Sequence, residues 1–89
     1  MKKAVALAYK IEQDRAPRVA ASGKGLIAQS IIEKAKNWDI PLFQNEALVE
    51  SLINLKVQEE IPPKLYQAVI EVFIWLNHCQ KNAELSKEH

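Results

Sequence analysis

Side chains of alternating size near the start of the sequence predict a β-strand. Over residues 4–9, alanines at positions 4, 6 and 8 alternate with Val5, Leu7 and Tyr9. A period of two places the three large side chains on one face of a strand and the three alanines on the other. We expect the large face to meet the core and the alanine face to let a helix approach closely.

Later segments add further strands and helices to this prediction. Strands are expected at residues 18–21 and 40–44, and helices at residues 26–39, 47–54 and about 64–80. Asn45 is expected to cap the second helix, and Pro62 and Pro63 to open the third. A helix between two strands with short links predicts a right-handed crossover and parallel pairing. The predicted fold class is α/β, with a small mixed sheet of about three strands covered by about three helices, in the order β-β-α-β-α-α.

Length and composition favour one domain with a hydrophobic core. The chain has 89 residues, of which 48% are hydrophobic and 26% charged. We therefore expect a single domain over residues 1–80, followed by a polar tail over residues 81–89. Cys79 is the single cysteine, so no intramolecular disulfide can form, and with two histidines a structural zinc site lacks ligands.

The apolar run near the N-terminus is too short for a signal peptide or a membrane span. It breaks at Lys10 and Glu12, before reaching the length of a signal-peptide core. No stretch approaches the ~20 apolar residues of a membrane span. The chain is therefore expected to be cytoplasmic.

Three groups of residues are candidate sites of chemistry. The turn at residues 22–25 holds both glycines before a helix, where backbone amides can bind an anion. It lacks the full phosphate-loop pattern, so a simple glycine turn is the competing interpretation. Glu59 and Glu60 are interpreted as a solvated pair. A Ser-His-Asp arrangement would have only His78 to use, and His78 sits late on an apolar helix. The sequence predicts no catalytic site, no metal and no cofactor.

Five segments of the chain resemble one known family in order and spacing. They read AVALAY at residues 4–9, APRV at 16–19, GKGLIA at 23–28, IPL at 40–42 and IPPKLYQAV at 61–69. Together they closely resemble the cytoplasmic domain of the FlhB/YscU family, the export switches of flagellar and injectisome type III secretion. The resemblance covers nearly the whole chain, from Ala4 to about Leu76.

The resemblance implies a chain that matches the product of a self-cleavage reaction. Members of the family are usually membrane proteins whose cytoplasmic domain cuts itself between the asparagine and proline of an Asn-Pro-Thr-His sequence. No asparagine of this chain is followed by proline, and Met1, Lys2 and Lys3 stand where the end of that motif would be. The resemblance therefore implies a stand-alone counterpart of the fragment after cleavage, with no autocleavage of its own.

The resemblance also implies a function and a binding surface. We expect a protein-binding component of type III export that contributes to substrate recognition or switching, and not an enzyme. Ala16 and Pro17 match part of a substrate-recognition patch, which Ile70 and Phe73 on the last helix would complete. The competing interpretation is that Ile70 and Phe73 are ordinary core residues.

Expected partners are export-apparatus proteins, export substrates and the upstream fragment of a full-length relative, which would supply a strand to an open sheet edge. Membrane contact is expected only indirectly, through the export gate. Two other classes stay open: a small anion- or nucleotide-binding domain using the turn from Gly23 to Gly25, and a nucleic-acid binder using Arg15, Arg18 and Lys24. The net charge of +1 does not favour the nucleic-acid binder, so no nucleic acid is among the expected partners.

Overall fold

An antiparallel hairpin forms the sheet, and helices pack against it. A computed structural model describes residues 1–10 and 12–88 of the chain. The elements are β1 (Lys3–Ala8), β2 (Arg18–Lys24), α1 (Leu26–Asn37), α2 (Glu46–Leu52), a short 3₁₀ helix (Pro63–Leu65) and α3 (Tyr66–Glu88). The predicted mixture of a sheet and three helices is confirmed.

The register of the hairpin changes once along its length. Ala6 lies opposite Ala21 and Leu7 lies opposite Val19, so Ala20 is an extra residue that forms a β-bulge. The segment at residues 58–61 runs along the other edge of β2. There the Val19 N–H donates to the Glu59 carbonyl at 3.0 Å, and the Gln58 N–H donates to the Val19 carbonyl at 2.7 Å. Within the described residues, β1 pairs with β2 alone.

The predicted third strand at residues 40–44 is wrong, and the end of α1 explains why. The Asp39 N–H donates to the Lys36 carbonyl at 3.3 Å, and the Ile40 N–H donates to the Ala35 carbonyl at 2.8 Å. With Asp39 at φ 56°, this is a Schellman cap, which ends the helix at Asn37 and not at Asp39. The Ile40 N–H is therefore occupied and Pro41 has none, so neither residue can donate to a sheet. The described sheet has two antiparallel strands, so the parallel pairing is wrong and the predicted order is not confirmed.

The hydrophobic core lies between the hairpin, α2 and α3. Its buried residues are Val19, Leu48, Leu52, Ile61 and Val69, with Val5 and Leu7 packed against them as the strand pattern predicted. Asn45 caps α2 as predicted, because its Oδ1 accepts the Leu48 N–H at 3.1 Å.

Helix α1 buries its small residues and leaves large ones outside. Ala28 and Ala35 are buried, whereas the larger Ile27 and Trp38 are 62% and 75% exposed. Small side chains let α1 approach the sheet closely, as the alanine face of β1 suggested.

The C-terminal helix is longer than predicted. It begins after the 3₁₀ helix that Pro63 opens, and it continues beyond Gln80 to Glu88. Residues 80–88 include alanine, leucine, glutamate and lysine and contain neither glycine nor proline, a composition that favours helix. Residues 81–88 of the predicted polar tail are therefore helical, and His89 lies outside the described residues. No helix in the described part of the chain is both long enough and apolar enough to cross a membrane.

Candidate protein-binding groove

The loop before β2 is ordered by the carboxylate of Asp14. This carboxylate accepts the Lys10 N–H at 2.8 Å and a hydrogen bond from the Arg18 guanidinium. The Lys10 N–H, and then Arg18, lower the pKa of Asp14 below its ordinary value, against an opposing effect of desolvation. These bonds fix the conformation of the loop, which ends with Ala16 and Pro17 directly before β2.

A main-chain hydrogen bond fastens this loop to the start of the last helical segment. The Ile61 N–H donates to the Pro17 carbonyl at 2.8 Å. Ile61 is buried in the core and is followed directly by Pro62 and the 3₁₀ helix. The bond holds Pro17 beside Ile61, in the segment that leads into α3.

One face of α3 supplies the opposite wall. Tyr66, Ile70 and Ile74 recur every four residues and form a row that is partly open to solvent. Val69 and Phe73 form a parallel row that is turned toward the core. The ring of Phe73 packs against the ring of Tyr9, which follows β1 directly.

These walls enclose a cavity of about 400 Å³, here called the apolar groove. Its lining residues are Tyr9, Arg15, Ala16, Pro17, Tyr66, Val69, Ile70, Phe73, Ile74 and Asn77. Most of this lining is aliphatic or aromatic, and the charged and amide groups of Arg15 and Asn77 are the polar exceptions. An apolar groove with few polar groups is typical of sites that bind apolar segments of a partner.

The four residues suggested by the family resemblance all line this groove. Ile70 is 51% exposed, whereas Ala16 is 4% exposed and forms part of the floor. Phe73 is half-buried. It packs against the core and also lines the groove, so its surroundings fit both the core interpretation and the binding-patch interpretation. Pro17 is half-buried between these extremes.

Sequence reasoning missed Tyr9, Tyr66 and Ile74 as lining residues. Tyr66 and Ile74 lie four residues before and after Ile70, on the same face of α3. Tyr9 stands at the end of the alternating segment, on its large face. The extension of the apolar pattern around α3, which exceeds what one packing face uses, was the available signal.

A second cavity of about 430 Å³ adjoins the apolar groove. It shares Arg15, Ala16 and Tyr66 with the groove and is completed by Glu60, Ile61 and the two prolines. Arg15 and Glu60 form an exposed ion pair at 3.6 Å. The pair is solvated, so its contribution to stability is small.

The other candidate sites gain no support from the geometry. The Gly25 N–H, which an anion would need, donates to the Lys2 carbonyl at 2.7 Å. Gly23 lies within β2, where the strand and Ile27 of α1 approach closely. Glu59 and Glu60 are both exposed, and the described residues contain no cluster of metal-ligating side chains.

Comparison with known protein families and relatives gives a consistent match. The model of the FlhB HrpN YscU SpaS family matches residues 1–76. The chain is 39% identical over 87 residues to the uncharacterized protein YlqH of Bacillus subtilis (strain 168), covering 98% of this chain and 94% of that protein. It is 45% identical over 79 residues to the flagellar biosynthetic protein FlhB of Aquifex aeolicus (strain VF5), covering 88% of this chain but 23% of that relative.

Solved structures show the same fold. The PscU C-terminal domain superposes with a TM-score of 0.79 at 28% identity, covering 84% of this chain and 96% of that domain. The native SpaS C-terminal domain has a TM-score of 0.84 over 92% of this chain and 95% of that domain, at 14% identity, which shows the likeness of the fold alone.

Proposed function

We propose, since the chain belongs to the FlhB HrpN YscU SpaS family, that it is a protein-binding component of type III protein export. Its family comprises export-switch proteins of flagellar and related secretion systems. The proposed role is recognition of export substrates, or a change in which substrates are recognised. The observation that carries this proposal is the apolar groove, with its exposed row of Tyr66, Ile70 and Ile74. Exposed apolar surface of this kind marks interaction sites.

The size and lining of the groove set the kind of segment that binds. A volume of about 400 Å³ accommodates a few side chains, and the walls offer them apolar contacts. Burying one large apolar side chain stabilises a complex by roughly 1.5–3 kcal/mol before the costs of association. One or two such side chains contribute at most about 6 kcal/mol, so binding through them alone is weak, with a Kd of roughly tens of micromolar at best and more often millimolar. Weak binding suits a substrate that is recognised and then released for export.

The experiment is a peptide titration followed by chemical-shift mapping. Peptides that tile export substrates of the same cell are added to the isotopically labelled protein. We expect shifts that concentrate at Ala16, Ile70 and Ile74 and that saturate with one peptide subset. Saturable shifts elsewhere on the domain, or no shifts at millimolar peptide, would contradict the proposal.

A second proposed partner is the upstream fragment of a full-length relative. The outer edge of β1 has no main-chain partner among the described residues, and such an edge is a template for an added strand. Each added main-chain hydrogen bond contributes roughly 0.5–1.5 kcal/mol net.

The location proposed with these partners is cytoplasmic, with recruitment to the membrane-embedded export gate by proteins of the export apparatus.

Amide exchange tests this strand addition. The protein is mixed with a peptide that carries the upstream strand of a full-length FlhB-type relative. Protection should rise along residues 4–9, the edge of β1, while Val19 of β2 changes less because its N–H and carbonyl are already bonded to residues 58 and 59. Absence of binding at high micromolar peptide would rule out the docking.

A further inference from the structure

One end of the hairpin gathers three lysines. Lys3 lies directly opposite Lys24 in the strand register. The Gly25 N–H donates to the Lys2 carbonyl, which places Lys2 at the same end. Helix α1 begins at Leu26 immediately after this turn, with no acidic residue in its first turn. The basic side chains and the start of α1 therefore share one end of the domain.

Two large apolar side chains project from that same end. Leu26 is 84% exposed and Ile27 is 62% exposed, although both open a helix that packs on the sheet. Neither of them lines the apolar groove or the adjoining cavity. We call Lys2, Lys24, Leu26 and Ile27 the basic tip. It presents protruding side chains and belongs to neither concave site.

The charge of the basic tip is only partly neutralised. Glu50 of α2 forms an ion pair with Lys3. That bond with Lys3 lowers the pKa of Glu50, and the charge of Lys24 adds to the effect. In the described part of the chain, Lys2 and Lys24 have no acidic side chain within ion-pair distance. Two positive charges therefore remain beside two exposed apolar side chains.

We propose that the basic tip docks the domain on the surface of an anionic lipid bilayer. Lysines attract anionic headgroups, while protruding apolar side chains enter the boundary between headgroups and acyl chains. A bilayer accepts protruding side chains without a matching concave shape, whereas an acidic protein partner needs shape complementarity for the same contacts. Contact with the membrane is then direct, unlike the indirect contact expected from the family resemblance. The docking is peripheral and independent of the apolar groove.

Vesicle sedimentation tests this proposal with the full chain. The probes are vesicles of phosphatidylcholine alone and of phosphatidylcholine mixed with phosphatidylglycerol. We expect partitioning onto the mixed vesicles and little onto the neutral ones, decreasing as ionic strength rises from about 0.1 M to about 1 M. Lys24→Gln should lower the partition coefficient roughly fivefold, the effect of one lysine near an anionic surface. Leu26→Ser should lower it as well, by removing an inserted side chain.

Matched variants separate this site from general charge attraction. Lys64→Gln removes the same charge from the exposed 3₁₀ helix, and Val57→Ser shortens an exposed apolar side chain outside the basic tip. Both controls should partition like the unaltered protein, and circular dichroism should show all four variants folded. Equal losses in controls and tip variants would overturn the proposal. So would absence of partitioning, or binding to an acidic peptide without binding to the mixed vesicles, which would assign the tip to a protein partner.

Discussion

The ring of Phe73 lies 6.1 Å from the ring of Tyr9, with the two planes tilted by 54°. This contact joins the C-terminal helix to the residue that follows the first strand. Phe73 also packs against the buried core, so its inner side contributes to stability while the cavity beside it belongs to the apolar groove. Truncation of Phe73 would therefore change folding and binding together, and variants that probe binding belong at the exposed row beside it.

Ile70→Asp should weaken binding of an export-substrate peptide at least tenfold and change the melting temperature little. The side chain lines the groove but is 51% exposed, so a charge there stays solvated in the free protein and is desolvated only in the complex. Val57→Asp is the matched control, because Val57 is also 51% exposed and lies outside the groove. Calorimetric titration measures both Kd values. A large loss of stability in Ile70→Asp, or equal weakening by Val57→Asp, would contradict the assignment of Ile70.

Gly23→Ala should destabilise the domain by roughly 1–3 kcal/mol, the usual cost of overpacking. A Cβ at this position would collide with the Cγ2 of Ile27 and would lie 2.7 Å from its Cβ. The same substitution in an Ile27→Ala background should cost less, because the Cγ2 contact is gone. Urea denaturation of the four proteins measures the coupling. Equal costs in both backgrounds would show that the clash with Ile27 is not the cause.

Asp39→Gly should raise the free energy of unfolding by roughly 0.5–1 kcal/mol. Asp39 has a φ of 56° at the position after the end of α1, where glycine is favoured because it has no Cβ. Lys36→Gly, within the last turn of α1, should instead lower it by about 1 kcal/mol. Thermal melts should show opposite shifts for the two variants. A lower melting temperature for Asp39→Gly would mean that its side chain contributes more than the strained backbone costs.

Acid should remove stability through Asp14, and Asp14→Asn should reduce that dependence. The Lys10 N–H and the Arg18 guanidinium lower the pKa of Asp14 in the folded protein. A carboxyl with a lowered pKa stabilises the fold above its unfolded pKa of about 4, and this contribution is lost as the pH falls below that value. Denaturation midpoints measured from neutral pH downward give the slope. An identical slope in both proteins would show that Asp14 does not contribute.

Intact mass should stay that of one uncut chain after days at neutral pH. Self-cleavage in full-length relatives uses an Asn-Pro pair, and no asparagine of this sequence precedes proline. Mass spectrometry before and after incubation is sufficient. Complementary fragments that divide the chain at an asparagine would contradict this prediction.

Side-chain patterns predicted the helices and the two strands, because burial imposes one face on each element, but they did not predict that the two strands pair as an antiparallel hairpin. The Asn45 cap could also be predicted from the sequence, because its side chain accepts a hydrogen bond from a backbone N–H only three residues away. Residues 40–44 have the composition of a strand, yet the Schellman cap takes the Ile40 N–H. The Ile40 N–H can bond either to the end of α1 or to a sheet, and the outcome depends on the φ of Asp39. Amino-acid composition does not specify that dihedral angle.

The groove was predictable in part for a related reason. Family resemblance led to Ala16, Pro17, Ile70 and Phe73, but not to the groove that they line. Their proximity depends on the bond between Ile61 and Pro17, a pairing of main-chain atoms far apart in sequence. No side-chain identity encodes such a bond directly. The exposed ends of α1 were missed because Ala28 and Ala35, and not the larger Ile27 and Trp38, face the sheet.

The bond between the Ile61 N–H and the Pro17 carbonyl has a consequence for how this surface diversifies. It joins main-chain atoms, so a substitution at position 61 removes the donor only if it introduces proline. Ile70 and Ile74, by contrast, present side chains that the core does not require. The path of the loop beside the groove therefore depends on main-chain atoms, whereas the contacts offered inside the groove depend on side chains. Under the proposed binding role, substitutions at Ile70 and Ile74 would change which segments the apolar groove accepts and leave the main-chain bond and the fold in place.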